Sequence, residues 1–167
     1  MDRRQWLNKA AGLIAAGLLP AFARSNTSVK PLVKTAAEWK ALLPSDSYRV
    51  LFEEATEVAG SSPLDGEKRA GRFLCAACFL PLFDSSTKFD SGTGWPSFYD
   101  FLPGALATKR DFKLILPRTE YHCARCGGHQ GHVFHDGPPP TGLRYCNNGL
   151  ALRFIAAGET LPPARGA

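Results

Sequence analysis

Five cysteines and four histidines hold most of the chemistry available to this 167-residue chain. Cys75-Ala76-Ala77-Cys78 and Cys123-Ala124-Arg125-Cys126 each set two thiols three positions apart. Four thiolates delivered on two such turns match a tetrahedral zinc site, whose Zn–S bonds run to about 2.3 Å. Gly127-Gly128 lets the second turn curl so that backbone amides face the sulfurs. A zinc ribbon separates its pairs by about 15–20 residues. Here the whole span 79–122 intervenes, so a metal would pin distant parts of one domain together. Two redox-active pairs or two disulfides are the alternatives, and an oxidising compartment permits either. Redox pairs usually open a helix that lowers one thiol's pKa, and no helical pattern follows either pair. Structural zinc is therefore the favoured reading.

Cys146 is left over. An odd cysteine in an exported protein is a reactive thiol or a small buried hydrophobe. Arg144 before it and Asn147-Asn148 after it supply a cation and polar donors that favour a thiolate. All four histidines fall between residues 122 and 135, close before this cysteine. His129 and His132 lie three apart in Gly128-His129-Gln130-Gly131-His132-Val133-Phe134, where glycine disfavours a helix and permits close approach to a ligand. A thiol with nearby imidazoles is a layout for nucleophilic or acid–base catalysis. A merely solvated loop and a second metal site are the rival readings, and the absence of an obvious carboxylate partner counts against the metal. His122, beside Cys123, reads as structural. Trp95, held between Gly94 and Pro96, reads as an exposed aromatic wall for an apolar group rather than a core tryptophan.

Two kinds of element must position these groups. Thr35-Ala36-Ala37-Glu38 is a capping box, followed at helical spacing by Trp39, Leu42 and Leu43 until Pro44 stops the run. Ser45 is placed to cap a second short helix carrying Tyr48, Val50 and Leu51, which Gly60-Ser61-Ser62-Pro63 breaks. Beyond it the pattern becomes short and extended. Strands are expected at 72–74, 112–116, 119–123, 132–134, 144–146 and 150–154, separated by Gly, Pro and Asn turns. With no further long helices to cover a parallel sheet, antiparallel β with a short helical N-terminal segment is the economical architecture.

Composition agrees with one folded domain: 44% hydrophobic and 21% charged residues can bury a core. The net charge is +5, but Arg3, Arg4 and Lys9 belong to the first 23 residues and no run of four basic residues exists. Nucleic acid is excluded as a partner on that ground. Residues 1–23 resemble a twin-arginine export signal: Arg3-Arg4, an apolar stretch from Ala10 to Leu19, and the small-x-small pattern Ala21-Phe22-Ala23. The apolar stretch is shorter than the roughly 20 residues of a spanning helix. The expected organisation is a cleaved signal at 1–23, a leader and N-terminal helices at 24–62, a zinc-stapled β catalytic domain at 63–160, and a tail at 161–167. Export through the twin-arginine translocase would place the protein in the periplasm.

Together, Gly94-Trp95-Pro96-Ser97-Phe98, the Gly128–Phe134 segment, Asp136-Gly137-Pro138, Arg144-Tyr145-Cys146-Asn147-Asn148 and the two Cys-x-x-Cys pairs closely resemble methionine sulfoxide reductase B. The resemblance covers roughly residues 35–155. It implies two antiparallel β-sheets, a structural Zn2+ on Cys75, Cys78, Cys123 and Cys126, and reduction of the R epimer of methionine sulfoxide. It further implies Cys146 as the nucleophile, His129 and His132 as proton donors, Trp95 as the seat of the substrate methyl, and Arg144 and Asn148 as ordering groups. The products would be methionine and a Cys146 sulfenic acid. One position departs from the pattern: Thr93 stands where many members place a resolving cysteine. With the other four cysteines on metal, an external thioredoxin-like thiol is then expected to recycle Cys146.

Overall fold

The computed structural model describes residues 29–112 and 117–166; the signal-peptide reading of residues 1–23 and most of the expected strand 112–116 lie outside the described residues. The chain enters through two short helices, α1 (Ala36–Leu42) and α2 (Ser45–Glu53). The capping box forms as the sequence predicts, with Glu38 N–H donating to Thr35 Oγ1 and Thr35 N–H donating to Glu38 Oε2. Ser45 does not cap α2. Pro44 takes the cap position with no side-chain hydrogen bond, since its fixed φ suits the approach to a helix and its missing N–H costs nothing there. Trp39 stacks on Phe52 with ring centroids 5.0 Å apart, which locks the two helices together.

Nine strands follow among the described residues: β1 (Gly71–Cys75), β2 (Pro81–Asp84), β3 (Lys88–Phe89), β4 (Ser97–Phe98), β5 (Leu106–Asp111), β6 (Arg118–Cys123), β7 (His129–Phe134), β8 (Arg144–Asn147) and β9 (Leu152–Ala156). They form two antiparallel sheets, a three-stranded one ordered β2-β1-β9 and a six-stranded one ordered β3-β4-β8-β7-β6-β5. Fully buried Phe73, Phe83, Phe98 and Tyr121 pack between them. Phe83 stacks on Phe98 with centroids 4.1 Å apart, and Phe73 meets the same ring edge-on at 4.9 Å.

Several strands differ from the sequence reading, and β2 was not expected at all. β5 ends at Asp111, where the expected strand had yet to begin, because its pattern is that of an edge strand with four exposed positions and no apolar alternation. β7 starts three residues earlier than expected, at His129. The last expected strand, 150–154, begins instead as a 3-10 turn, Gly149–Ala151, before β9. The two-residue strands β3 and β4 are too short to leave a periodic signal.

Candidate active site

Strand register sets out the site. Cys146 on β8 lies directly opposite His132 on β7, which lies opposite Glu120 on β6, which lies opposite Lys109 on β5; Ser97 on β4 completes the row beyond Cys146. Directly opposed residues project from the same face with Cβ atoms about 4.5–5.5 Å apart, so this row is one continuous polar stripe. The opposite face carries Tyr121 and Asn147, whose side chains meet in the core at 2.8 Å. One more row along lie Arg144 and Phe134, themselves paired, then Arg118 and Asp111.

His129 joins the stripe through an irregularity. Residues three apart on a flat strand point to opposite faces. Between the pairs Tyr121–Gly131 and His122–His129 the register shifts, leaving Gln130 as an extra residue. That bulge turns His129 toward the face of His132, and the two rings sit 5.5 Å apart. Gly131 is required beside it, because a Cβ there would collide with the Cys146 carbonyl oxygen.

Each imidazole has a carboxylate behind it, which sequence proximity did not reveal. His132 Nε2 lies 2.7 Å from Asp111 Oδ2, and an ionised carboxylate only accepts, so that nitrogen carries the proton. Arg118 donates to the same oxygen at 2.7 Å. His129 Nδ1 lies 3.1 Å from Glu120 Oε1, and Lys109 reaches the other Glu120 oxygen at 3.2 Å. Burial pulls the His132 pKa below the ordinary imidazole value; Asp111 opposes this, while Arg118 and His129 reinforce it. The shift favours the neutral form of the ring.

Cys146 is half-buried. Burial pushes its thiol up, and the Arg144 guanidinium and the Thr93 hydroxyl, both against the sulfur, only partly offset that. The thiolate that the flanking residues suggested is therefore a minority species at rest. Arg144 is gripped by Asp136 through two parallel bonds of 2.8 Å and lies over the Phe134 ring, 4.4 Å from its centroid. Both ends of the Asn148 amide are bound to backbone, at Gln130 O (3.0 Å) and Glu57 N (3.1 Å). Thr93 begins a hydroxyl chain, with Ser91 2.8 Å from both Thr93 and Ser97.

A cavity of about 130 Å³ opens on Cys146, His132, Trp95, Asn148, Phe134 and Thr56. It suits the end of one side chain, since drug-sized ligands need roughly 300–1,000 Å³. His129 and Arg144, both expected at the site, do not line it. A larger cavity, about 680 Å³, lies across the 56–57 segment and has no thiol or imidazole in its wall.

The other four cysteines gather elsewhere. The sulfurs of Cys75, Cys78, Cys123 and Cys126 lie within 4.8 Å of one another. The closest approaches are 3.6 Å for Cys75–Cys126 and 3.5 Å for Cys78–Cys123. Those distances are far beyond a disulfide bond of about 2.05 Å, and all five cysteines are free. They match the edge of a tetrahedron drawn with metal–sulfur bonds of about 2.3 Å. Burial holds the Cys75 thiol well above its ordinary value, whereas Cys78, facing the other three sulfurs, is held below its own. A divalent cation would let all four ionise. Gln130 Nε2 faces Cys75 Sγ at 3.5 Å, so the bulge residue touches the cluster as well.

Residues 43–156 match the family model described as the SelR domain. A peptide methionine sulfoxide reductase MsrB from Pseudomonas putida strain W619 is 52% identical over 122 residues, covering 72% of this chain and 92% of the relative. Its namesake from Thiobacillus denitrificans is likewise 52% identical over 122 residues, with the same coverage. One from Methanosarcina barkeri is 48% identical over 131 residues, covering 78% of this chain and 92% of the relative.

Proposed function

We propose that this chain, which belongs to the SelR-domain family of peptide methionine sulfoxide reductases MsrB, reduces the R-sulfoxide of methionine in oxidised proteins or peptides with Cys146 as its nucleophile. The carrying observation is the register pair Cys146–His132 at a small cavity walled by Trp95.

The proton inventory suits this chemistry. Cys146 rests as a thiol and His132 as a neutral imidazole backed by Asp111. His132 takes the thiol proton, directly or through a water, and the thiolate attacks the sulfoxide sulfur. The imidazolium, stabilised by Asp111, returns the proton to the sulfoxide oxygen, with His129 as the second imidazole at that side. The oxygen ends on Cys146 sulfur as a sulfenic acid, and two electrons pass from that sulfur to the substrate sulfur, releasing methionine. Arg144 supports the transient thiolate, Asn148 holds the turn behind it, and Trp95 receives the methyl.

Cys75, Cys78, Cys123 and Cys126 hold a structural zinc, which cross-links the domain and takes no part in the oxygen transfer. No thiol then remains to resolve the sulfenic acid, because Thr93 supplies only a hydroxyl. An external thiol attacks Cys146 sulfur, releasing water and forming a mixed disulfide that a second thiol reduces. Twin-arginine export, cleavage after Ala23 and a periplasmic thioredoxin-like reductant complete the reading.

Separate R and S epimers of a methionine sulfoxide, offered to wild type and Cys146→Ser, provide the test. Wild type should consume the R epimer alone and the variant neither. Equal turnover of both epimers would sink the assignment.

A further inference from the structure

One buried acid has no part in that chemistry. Glu57 is 8% exposed and has no ion-pair partner among the described residues. A carboxylate in that position is tolerated when hydrogen bonds replace its hydration. Oε1 accepts Gly149 N–H at 2.5 Å and Oε2 accepts Leu150 N–H at 2.9 Å. These are the first amides of the 3-10 turn that follows Cys146. A Cβ at position 149 would strike Ser62 Oγ and come within 3.3 Å of Glu57 Oε1, so the fit depends on glycine.

The same residue binds the opposite wall through its main chain. Its carbonyl accepts the Trp95 indole N–H at 3.3 Å, and its amide N–H donates to Asn148 Oδ1 at 3.1 Å. Three residues on, Gly60 N–H donates to Gly94 O at 2.7 Å, in a loop where Gly94 takes φ 84° and has no room for a side chain. The 56–60 segment thus straps the Trp95 loop to the turn after Cys146, and the Glu57 carboxylate is its anchor.

We propose that Glu57 is a positioning residue which sets the gap between the Cys146 sulfur and the Trp95 wall, and thereby selects a methyl sulfoxide over bulkier alkyl sulfoxides. This rests on the cavity being the sulfoxide site. An interior pocket that fits a methyl rejects one extra methylene by roughly 10-fold or more. Loosening the strap should erode that preference before it touches the reacting atoms.

Glu57→Gln keeps the shape but presents an amino group to one of the two N–H donors; Glu57→Asp keeps the charge and withdraws it by one methylene. Both are assayed on the R-sulfoxides of methionine and ethionine, with Cys146 alkylation by iodoacetamide as a chemical control. In either folded variant KM for the methionine substrate should rise about fivefold, with kcat held within about twofold. The methyl-over-ethyl ratio of kcat/KM should narrow about fivefold, and alkylation should match wild type. A folded variant that is merely less stable, with KM and the methyl-over-ethyl ratio unchanged, overturns the role of Glu57. Wild type that fails to turn over methionine R-sulfoxide overturns the underlying reading instead.

Discussion

The molecule holds cysteine in two settings whose contrast explains both. Cys75, Cys78, Cys123 and Cys126 come from two tight turns and face one another, three of them fully buried. Cys146 stands on a strand, faces imidazole and guanidinium, and opens on a cavity. Thiols packed against thiols satisfy each other only through a shared cation, which ends their reactivity. A thiol packed against titratable nitrogen has somewhere to send its proton and stays reactive. Residue type alone does not divide structural from chemical cysteine; what each sulfur faces does.

Exchanging serine for one cysteine in each setting should break the comparison most visibly. Cys146→Ser should lose turnover by about 10³-fold or more, because serine lacks the nucleophilicity and redox chemistry of sulfur, while melting temperature and zinc content stay as in wild type. Cys123→Ser should do the reverse to the fold. If even a third of the roughly 10–16 kcal/mol that structural zinc can supply is lost, at about 2–4 °C per kcal/mol, Tm should fall by roughly 7–21 °C. Metal analysis and calorimetry on the two variants decide it, and a stable, metal-free Cys123→Ser would remove the contrast.

Asp111→Asn sharpens the contrast at the reactive end. The imidazolium formed from His132 loses its countercharge, so kcat should drop by about 10²-fold with KM little changed. Steady-state kinetics on the R epimer reads this directly. An unaltered kcat would remove Asp111, and with it the relay through His132.

The smallest expected effect is a shift in titration. Burial disfavours the charged form of Cys146, so its alkylation rate should climb with pH to a midpoint above the ordinary thiol value. Arg144→Gln removes a cation that favours the thiolate, and the midpoint should move further up, slowing alkylation at neutral pH. A midpoint at or below the ordinary thiol value in wild type would contradict the burial argument.

Much of the candidate site was legible because its signals are local. Paired cysteines announce a cluster by spacing, Cys146 stands out by being odd, and Gly and Pro around Trp95 mark a loop. The capping box at Thr35 and Glu38 is equally local, and it forms as read. Asp111, Glu120 and Glu57 were not legible, since each acts on residues far along the chain and sits in an unremarkable sequence. Nor was the bulge at Gln130: two histidines three apart look like a turn until strand register shows that one extra residue brings them to a common face. β5 escaped for a related reason, being an exposed edge strand whose position is fixed by pairing with β6 rather than by its own pattern.

The order in which the strands enter the small sheet has a consequence for synthesis. β1 is the first of the described strands, and its neighbours are β2 and the last of them, β9. The two thiols at 75 and 78 acquire their partners once residue 126 exists, whereas Glu57 waits for residues 149 and 150 and β1 waits for 152–156. Contacts between residues so far apart along the chain are slow to form, because closure entropy is lost before the contact stabilises the fold. A growing chain can therefore present all four cluster thiols before Cys146 emerges, but its sheets close only afterwards, since β8 joins β4 to β7 and residues 149–156 complete the turn held by Glu57 and the partner of β1.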